Sequence, residues 1–182
     1  MTAAEHDRPA ASVGQLRALA HPLRLRILRL CRDRELTNKE LADALGIAPG
    51  TALRHVRELV QAGFLVAGEA RTGNRGARER PYRSTGISTA LAVHHVGHAE
   101  LSRQVELATV AAYHAELAAA PPEAIRSHLR WTLRLPPAAL AEMTERIEAI
   151  LGEYADLADR HGGGEAITTN LLWSLHDVPP PP

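Results

Sequence analysis

The stretch from Thr37 to Gly63 constrains the fold more than any other part of the sequence, because it carries the signals that start and end two helices. Thr37 and Glu40 have the spacing of a capping box, in which each side chain bonds the other residue's backbone N–H. Gly46 suits the left-handed position that ends a helix, and Pro49 suits the first turn of the next one. The pattern predicts two short amphipathic helices joined by a tight turn.

The second of these helices has two distinct faces on a helical wheel. With Ala52 taken as zero and about 100° per residue, the predicted core face is formed by Ala52, Val56, Leu59 and Val60. Arg54 lies almost opposite Ala52, and the candidates that accompany it on the outside are Gly50, Thr51 and Arg57. His55 falls at the edge of the core face, where contact with a phosphate and local packing are the two alternatives.

A basic hairpin is predicted directly after these helices. Residues 64–70 read as one strand and residues 80–86 as the return strand, with a glycine-containing turn between them. Five arginines and one acid lie between Arg71 and Arg83. Arginines clustered in such a hairpin favour contact with phosphates or the minor groove, and a solvated charged loop is the alternative. Residues 73–76 also fit a weak GxxG pattern of RNA-binding modules. The candidate contacts are Arg71, Arg75, Arg78 and Arg80.

Together, the two helices and the basic hairpin predict a winged helix-turn-helix, whose second helix enters the major groove of DNA. Arg54 can make the bidentate contact with a guanine, while Gly50 allows close approach. Thr37, at the start of the first helix, is a further candidate. The charge distribution agrees, because residues 1–86 carry 15 Lys and Arg against 9 Asp and Glu, whereas residues 87–182 carry 6 against 12. A basic half and an acidic half favour DNA contact by the first half alone.

The segments LRALAHPLRLRILRLC, LTNKELADALGIAPGTALRHVRELVQAGFL and GARERPYRSTG, within residues 12–86, resemble the ArsR/SmtB-like winged-helix regulators. The resemblance implies a cytoplasmic homodimer that binds DNA and usually represses transcription. Many members sense metals through paired cysteines in the first helix of the motif, or through Asp, His and Glu on a C-terminal helix. Here TNKELADAL has no cysteine, so metal sensing does not carry over. The single cysteine, Cys31, is predicted to be a buried apolar side chain.

Residues 87–120 are predicted to form one dimerisation helix. Apolar and small residues recur at four-three spacing, which is typical of a seam between two helices. The seam comprises Ile87, Leu91, His94, His98, Leu101, Val105, Ala108, Ala112 and Ala115. His94 and His98, four residues apart, are weak candidates for a metal site, and an interface or surface role is the alternative.

Residues 121–178 are predicted to form a strand–helix–strand unit for dimerisation or effector binding. Residues 129–135 and 167–175 alternate apolar and polar side chains, as strands do, and a helix is expected from Pro137 to about His161. The aromatic residues in or near this region could line a pocket for an organic effector or belong to the core. They are Tyr113, Trp131, Tyr154 and Trp173.

The fold class expected from these segments is α+β. Residues 1–11 and 179–182 are expected to be disordered tails, and no signal peptide or membrane span is expected. No enzyme motif is found, so neither enzymatic activity nor a cofactor is expected. The function predicted is a sequence-specific DNA-binding regulator, a homodimeric repressor of an inverted repeat, with a small-molecule effector as one option. The alternative is a winged helix that contacts only proteins.

Overall fold

The computed structural model describes residues 8–72, 78–93, 96–160 and 167–177 of the 182-residue chain. The chain divides into two compact units, residues 1–112 and 113–182. The helices are α1 (Val13–Leu19), α2 (Pro22–Leu30), α3 (Asn38–Leu45), α4 (Pro49–Gln61), α5 (Ile87–Ala90), α6 (Ala99–Ala119) and α7 (Pro137–Arg160), with 3-10 turns at Val96–His98 and Pro122–Ala124. The strands are β1 (Leu36–Thr37), β2 (Leu65–Ala67), β3 (Arg71–Thr72), β4 (Arg78–Glu79) and β5 (Pro81–Ser84).

The predicted caps place the ends of α3 and the start of α4. The Glu40 backbone N–H donates to the Thr37 hydroxyl at 3.3 Å, and the Thr37 N–H donates to the Glu40 carboxylate at 2.7 Å. α3 ends at Gly46, whose φ of 65° lies in the left-handed region. Pro49 opens α4, where the missing N–H of proline costs no hydrogen bond. These contacts confirm the predicted boundaries of the two helices.

The hairpin after α4 is also confirmed. β5 lies between β1 and β2 in a three-stranded antiparallel sheet, with Leu36 opposite Tyr82 and Val66 opposite Arg83. Farther along the hairpin, β3 and β4 form a two-stranded ladder. We call residues 65–84 the wing. Arg75 lies in residues 73–77, outside the described residues.

The core of the first unit joins α1 to α4 with the sheet. Phe64, Leu16 and Ile27 are completely buried within it, and α4 contributes three small or branched side chains to its interior. These are Ala52, Val56 and Leu59. Val60, predicted on the same face, is 37% exposed, because it lies about 80° around the helix from Ala52. α4 therefore presents a narrower apolar face to the core than the sequence suggests.

The disordered tail predicted for residues 1–11 is wrong at its C-terminal end. Ala10 forms a parallel bridge with Ala92, and the Ala92 N–H donates to the Pro9 carbonyl at 3.0 Å. The Ala11 N–H donates to the Ala92 carbonyl at the same distance, and Ala11 is buried. Small side chains allow this close backbone pairing. Residues 1–7 lie outside the described residues.

The single helix predicted over residues 87–120 is also wrong. α5 ends at Ala90, Leu91 is extended with φ of −97° and ψ of 141°, and α6 begins only at Ala99. The physical reason is tertiary, because the bridge between Ala92 and the N-terminal segment requires extended backbone here. Leu91 and Val105, which belong to the predicted seam, are buried in this chain's own core. That part of the seam is therefore not available to a partner helix.

In the second unit, the predicted helix is confirmed as α7, but the two predicted strands are not. Residues 129–135 and 167–175 form no strand with any described residue. Their apolar side chains are largely exposed, as for Leu129 at 77% and Trp131 at 71%. The alternation is a property of the side chains, whereas a strand also needs a hydrogen-bonded neighbour, which the described chain does not supply. The strand–helix–strand prediction is therefore corrected to a helix with two unpaired flanking segments.

Replacing the core residue Phe64 with alanine is expected to lower the free energy of unfolding by about 3–5 kcal/mol, because it leaves a large cavity. The matched control is Val66→Ala in the same strand segment. Val66 is 42% exposed, so its truncation should cost less than about 1 kcal/mol. Urea unfolding followed by far-ultraviolet circular dichroism measures both. Equal losses would contradict the core assigned to the first unit.

Candidate DNA interface

The outer face of α4 carries the four predicted DNA contacts in its exposed first half and middle. Gly50, Arg54 and Arg57 are exposed, and Thr51 is half-buried. Apart from its chain neighbours and the adjacent backbone of α4, no described atom lies within 4 Å of the point where a Cβ on Gly50 would be, so another molecule can approach the backbone there. Among the described residues, neither arginine has a hydrogen-bond or ion-pair partner, which leaves both guanidinium groups available to an external acceptor.

α4 is held in place by polar contacts at two points along its length. The Arg24 guanidinium of α2 forms an ion pair with Glu58 of α4. Near the other end, the Asn38 side-chain amide donates to the Pro49 carbonyl at 3.0 Å. Because one contact comes from α2 and the other from α3, the outer face of α4 is fixed with respect to both neighbouring helices.

The base of the wing adds a second basic surface. Arg78 and Arg80 are exposed and line a cleft of about 300 Å³ with Thr37, Asn38 and Lys39 at the start of α3. The cleft is also lined by Tyr82 and by one acidic residue, Glu79. Asn38 and Lys39 are not among the contacts predicted from the sequence, although their position in the first turn of the predicted helix is a signal that could have added them as candidates. The backbone N–H groups of a helix start and cationic side chains both favour an anion, so this cleft is suited to a phosphate.

Arg71 is placed differently from the other wing arginines. Its guanidinium lies 3.8 Å from the Glu40 carboxylate, although the side chain remains more than half exposed. The hydrogen bonds from Thr37 are the main reason why the pKa of Glu40 is below its usual range, and Arg71 contributes less. Arg71 therefore partly neutralises the charge of the Glu40 carboxylate, whereas Arg78 and Arg80 form no ion pair with a described residue.

Two predicted DNA contacts are corrected. His55 is 2% exposed, because the helical wheel places it about 60° from Ala52, close enough to the core face to be covered. Thr37 is also 2% exposed, and its hydroxyl caps α3. Both side chains are almost completely covered, although Thr37 also lines the cleft at the base of the wing. His55 instead packs against His21, with 4.4 Å between the ring centroids.

With this geometry established, comparison with known proteins gives a consistent result. Residues 19–66 match a family model described as a helix-turn-helix domain. The chain carries a winged helix-turn-helix domain. The match covers α2 to β2, which includes the whole candidate recognition helix α4. The domain and its exposed basic residues support a DNA-binding transcriptional regulator.

Two solved structures show limited similarity to the chain. Reduced HlyU from Vibrio cholerae is 23% identical over 52% of this chain and 81% of its own, with a TM-score of 0.34. The adhesin competence repressor AdcR from Streptococcus pyogenes is 19% identical over 73% of this chain and 78% of its own, with a TM-score of 0.33. No curated protein matches the chain.

Outside the winged helix-turn-helix domain, the predicted effector residues do not enclose a pocket within one chain. Trp131 is 71% exposed and Tyr154 is 64% exposed, while Trp173 is 37% exposed and Tyr113 is half-buried. Side chains this open to solvent cannot enclose a small molecule by themselves. These four residues would need a further covering surface to form a binding site.

Of the two metal candidates, the structure describes only His98. His98 is exposed in a 3-10 turn before α6, and His94 lies outside the described residues. Within the described ranges, no group of three or more His, Cys, Asp or Glu side chains could hold a metal ion.

Cys31 is completely buried, as predicted, and burial raises the pKa of its thiol to about 12. Among the described helices, none has the length and apolar character needed to cross a membrane.

The reassignment of Thr37 from DNA contact to helix cap has a direct test. Thr37→Ala should lower the free energy of unfolding by about 1–2 kcal/mol, because the Glu40 N–H loses its acceptor. Thr37→Ser keeps a hydroxyl and should preserve stability. Thermal unfolding measures both variants, and DNA affinity is measured well below their melting temperatures. A stable Thr37→Ala protein with impaired DNA binding would restore Thr37 to the interface.

Proposed function

We propose that this protein is a cytoplasmic, homodimeric transcriptional repressor of the ArsR/SmtB-like type that binds an inverted DNA repeat. α4 is the recognition helix in the major groove, and the basic base of the wing contacts the phosphate backbone. The single observation that carries the proposal is that Arg54 is exposed and has no ion-pair partner in the described ranges, on a helix whose opposite face is buried in the core. An arginine so placed can reach the O6 and N7 acceptors of a guanine.

The dimensions of α4 support this proposal. Its 13 residues correspond to a length of about 20 Å, and the major groove of B-form DNA is about 12 Å wide, enough to admit a helix. Gly50 and Thr51 lie near the N-terminal end of α4, which is the part of a recognition helix that usually meets base edges. The second basic surface, at Arg78 and Arg80, would then supply sequence-independent affinity through phosphates.

A homodimer is part of the proposal, although the helix face that supports it differs from the predicted seam. Leu107 is 56% exposed and Val110 is 45% exposed on α6, on the side opposite the buried Val105. In the sequence, the same spacing continues at His114 and Leu117. Four-three spacing of apolar residues is typical of paired helices. Two copies that joined through this face would present two recognition helices to one operator.

Arg54→Ala is expected to weaken binding to the selected DNA site by roughly 1–3 kcal/mol, because one bidentate base contact is lost. The loss on unrelated DNA should be much smaller. Affinity is measured by fluorescence anisotropy on fragments selected from the protein's own genome and on a scrambled duplex. Arg80→Ala is the matched comparison, because a phosphate contact should contribute similarly on both duplexes and reduce the salt slope by about one.

Arg146→Ala is the control for simple loss of charge, because Arg146 is an exposed cation paired with Glu142 on α7. Its affinity for both duplexes should remain within error of the unmodified protein. If Arg54→Ala lost equal affinity on both duplexes, Arg54 would not be a base-reading residue. If the unmodified protein showed no salt-sensitive DNA affinity, the alternative of a protein-binding winged helix would be favoured.

Leu107→Glu is expected to convert the dimer to a monomer, because it places a charge in the proposed apolar contact. Gln104→Glu is the comparison, since it adds the same charge one turn away on α6 without removing an exposed apolar side chain. Light scattering coupled to size-exclusion chromatography gives the mass of each species. A dimeric Leu107→Glu protein would exclude this face as the principal contact.

A further inference from the structure

Two histidines meet beneath the recognition helix, away from the surface that would face DNA. The ring centroids of His21 and His55 are 4.4 Å apart, and the rings are tilted by 47°. His21 precedes α2, whereas His55 lies in the middle of α4, so the pair joins the two helices. His55 is 2% exposed, and its Nδ1 atom is buried without a hydrogen-bond partner in the described part of the chain.

The protonation state of His21 is set by a backbone hydrogen bond. The Leu23 N–H donates to the His21 Nδ1 at 3.2 Å, and this contact caps the N-terminus of α2. Nδ1 must therefore hold its lone pair, and the neutral ring carries its proton on Nε2. A second proton can bind only at Nδ1, where it would remove the cap. It would also place a positive charge at a helix N-terminus, which the helix dipole disfavours.

The charged groups that face the histidine pair make proton uptake still less favourable. They are Arg24 of α2 and Arg54 and Glu58 of α4. Glu58 is already paired with Arg24, whose guanidinium also donates to the carbonyls of Ala18 and Arg17. Burial is the main reason why the pKa values of His21 and His55 are lower than usual, and the arginines lower them further, against a smaller opposing effect of Glu58.

We propose that the contact between His21 and His55 is a proton-sensitive joint that holds the recognition helix in its DNA-binding position. With both rings neutral, α4 packs tightly on α2. A proton on either ring adds a third positive charge to those of Arg24 and Arg54, which face only the Glu58 carboxylate. The repulsion shifts α4 away from α2. Arg54 moves with α4, because it is the residue before His55. The joint rests on the proposed DNA-binding function and adds a signal, acidification, to which that function responds.

The sign of the effect follows from proton linkage. Because the pKa of each ring is lowered below 6.5 in the packed state, the displaced state binds protons more readily. The packed state is therefore fully favoured above pH 6.5 and becomes less favoured as the pH falls below this value. Without such a joint, the DNA affinity of a protein with 10 histidines would rise as the pH falls, since added positive charge strengthens binding to phosphates.

The test measures the affinity for selected DNA at pH 7.5 and pH 5.5, at constant ionic strength, in the full-length protein. Affinity is expected to fall on the order of tenfold at the lower pH, since release is linked to the uptake of at least one proton. Far-ultraviolet circular dichroism should show that the helices persist at pH 5.5. Unchanged or tighter binding at pH 5.5, or loss of the helices in parallel with binding, would overturn the joint.

The double variant His21→Asn/His55→Phe removes both titrating groups while keeping a capping side chain and a buried ring of similar size. It should keep at pH 5.5 the affinity that it has at pH 7.5. His128→Asn is the control at an exposed histidine, and it should keep the acid loss of the unmodified protein.

If the double variant lost affinity as the unmodified protein does, other groups would be responsible, and the proposal would fail. If instead the unmodified protein bound no DNA even at pH 7.5, the proposed function itself would fail, and the joint would have no DNA-binding state to control. DNA binding at pH 7.5 without an acid response would refute the joint alone.

Discussion

The buried guanidinium of Arg24 is the contact on which the geometry of the candidate DNA interface depends. A buried charge loses its hydration, and this cost is offset only when its donors find good acceptors. Here the acceptors are two carbonyls at the end of α1 and the Glu58 carboxylate on α4. The side chain that completes the packing of α1 and α2 therefore also fixes the recognition helix. Because of this coupling, the orientation of Arg54 depends on the core as well as on the surface.

The winged helix-turn-helix domain could be predicted from the sequence because its signals act over a few residues. The capping box of Thr37 and Glu40, the left-handed Gly46 and the first-turn Pro49 each determine the backbone within one helical turn. A helical wheel was enough to place Arg54 outside and Val56 inside, since both lie far from the boundary between the faces. The wing followed from two short strands separated by a glycine-containing turn.

The errors arose where a distant partner decides the structure. The ion pair between Arg24 and Glu58 joins residues 34 positions apart, so no local sequence pattern predicts it. The helical wheel leaves phosphate contact and packing as alternatives for His55, because this residue lies at the edge of the core face, where small differences in packing decide burial. The four-three spacing after the wing suggested one helix, yet Ala92 pairs with the segment around Ala10 and requires extended backbone. The periodicity of the sequence shows which side chains share a face, whereas tertiary contacts determine what that face packs against.

Charge and exposed apolar surface explain why the proposed dimer contact belongs in the acidic half of the sequence. The basic residues that suit DNA lie within residues 1–86, and two such surfaces repel each other when no DNA lies between them. Beyond residue 87, exposed apolar side chains such as Leu107 and Trp131 have no covering partner among the described residues of one chain. Exposed apolar surface that includes leucine and tryptophan tends to associate with other chains unless a specific partner covers it. A self-association surface in this half would satisfy the apolar side chains and leave both recognition helices free for DNA.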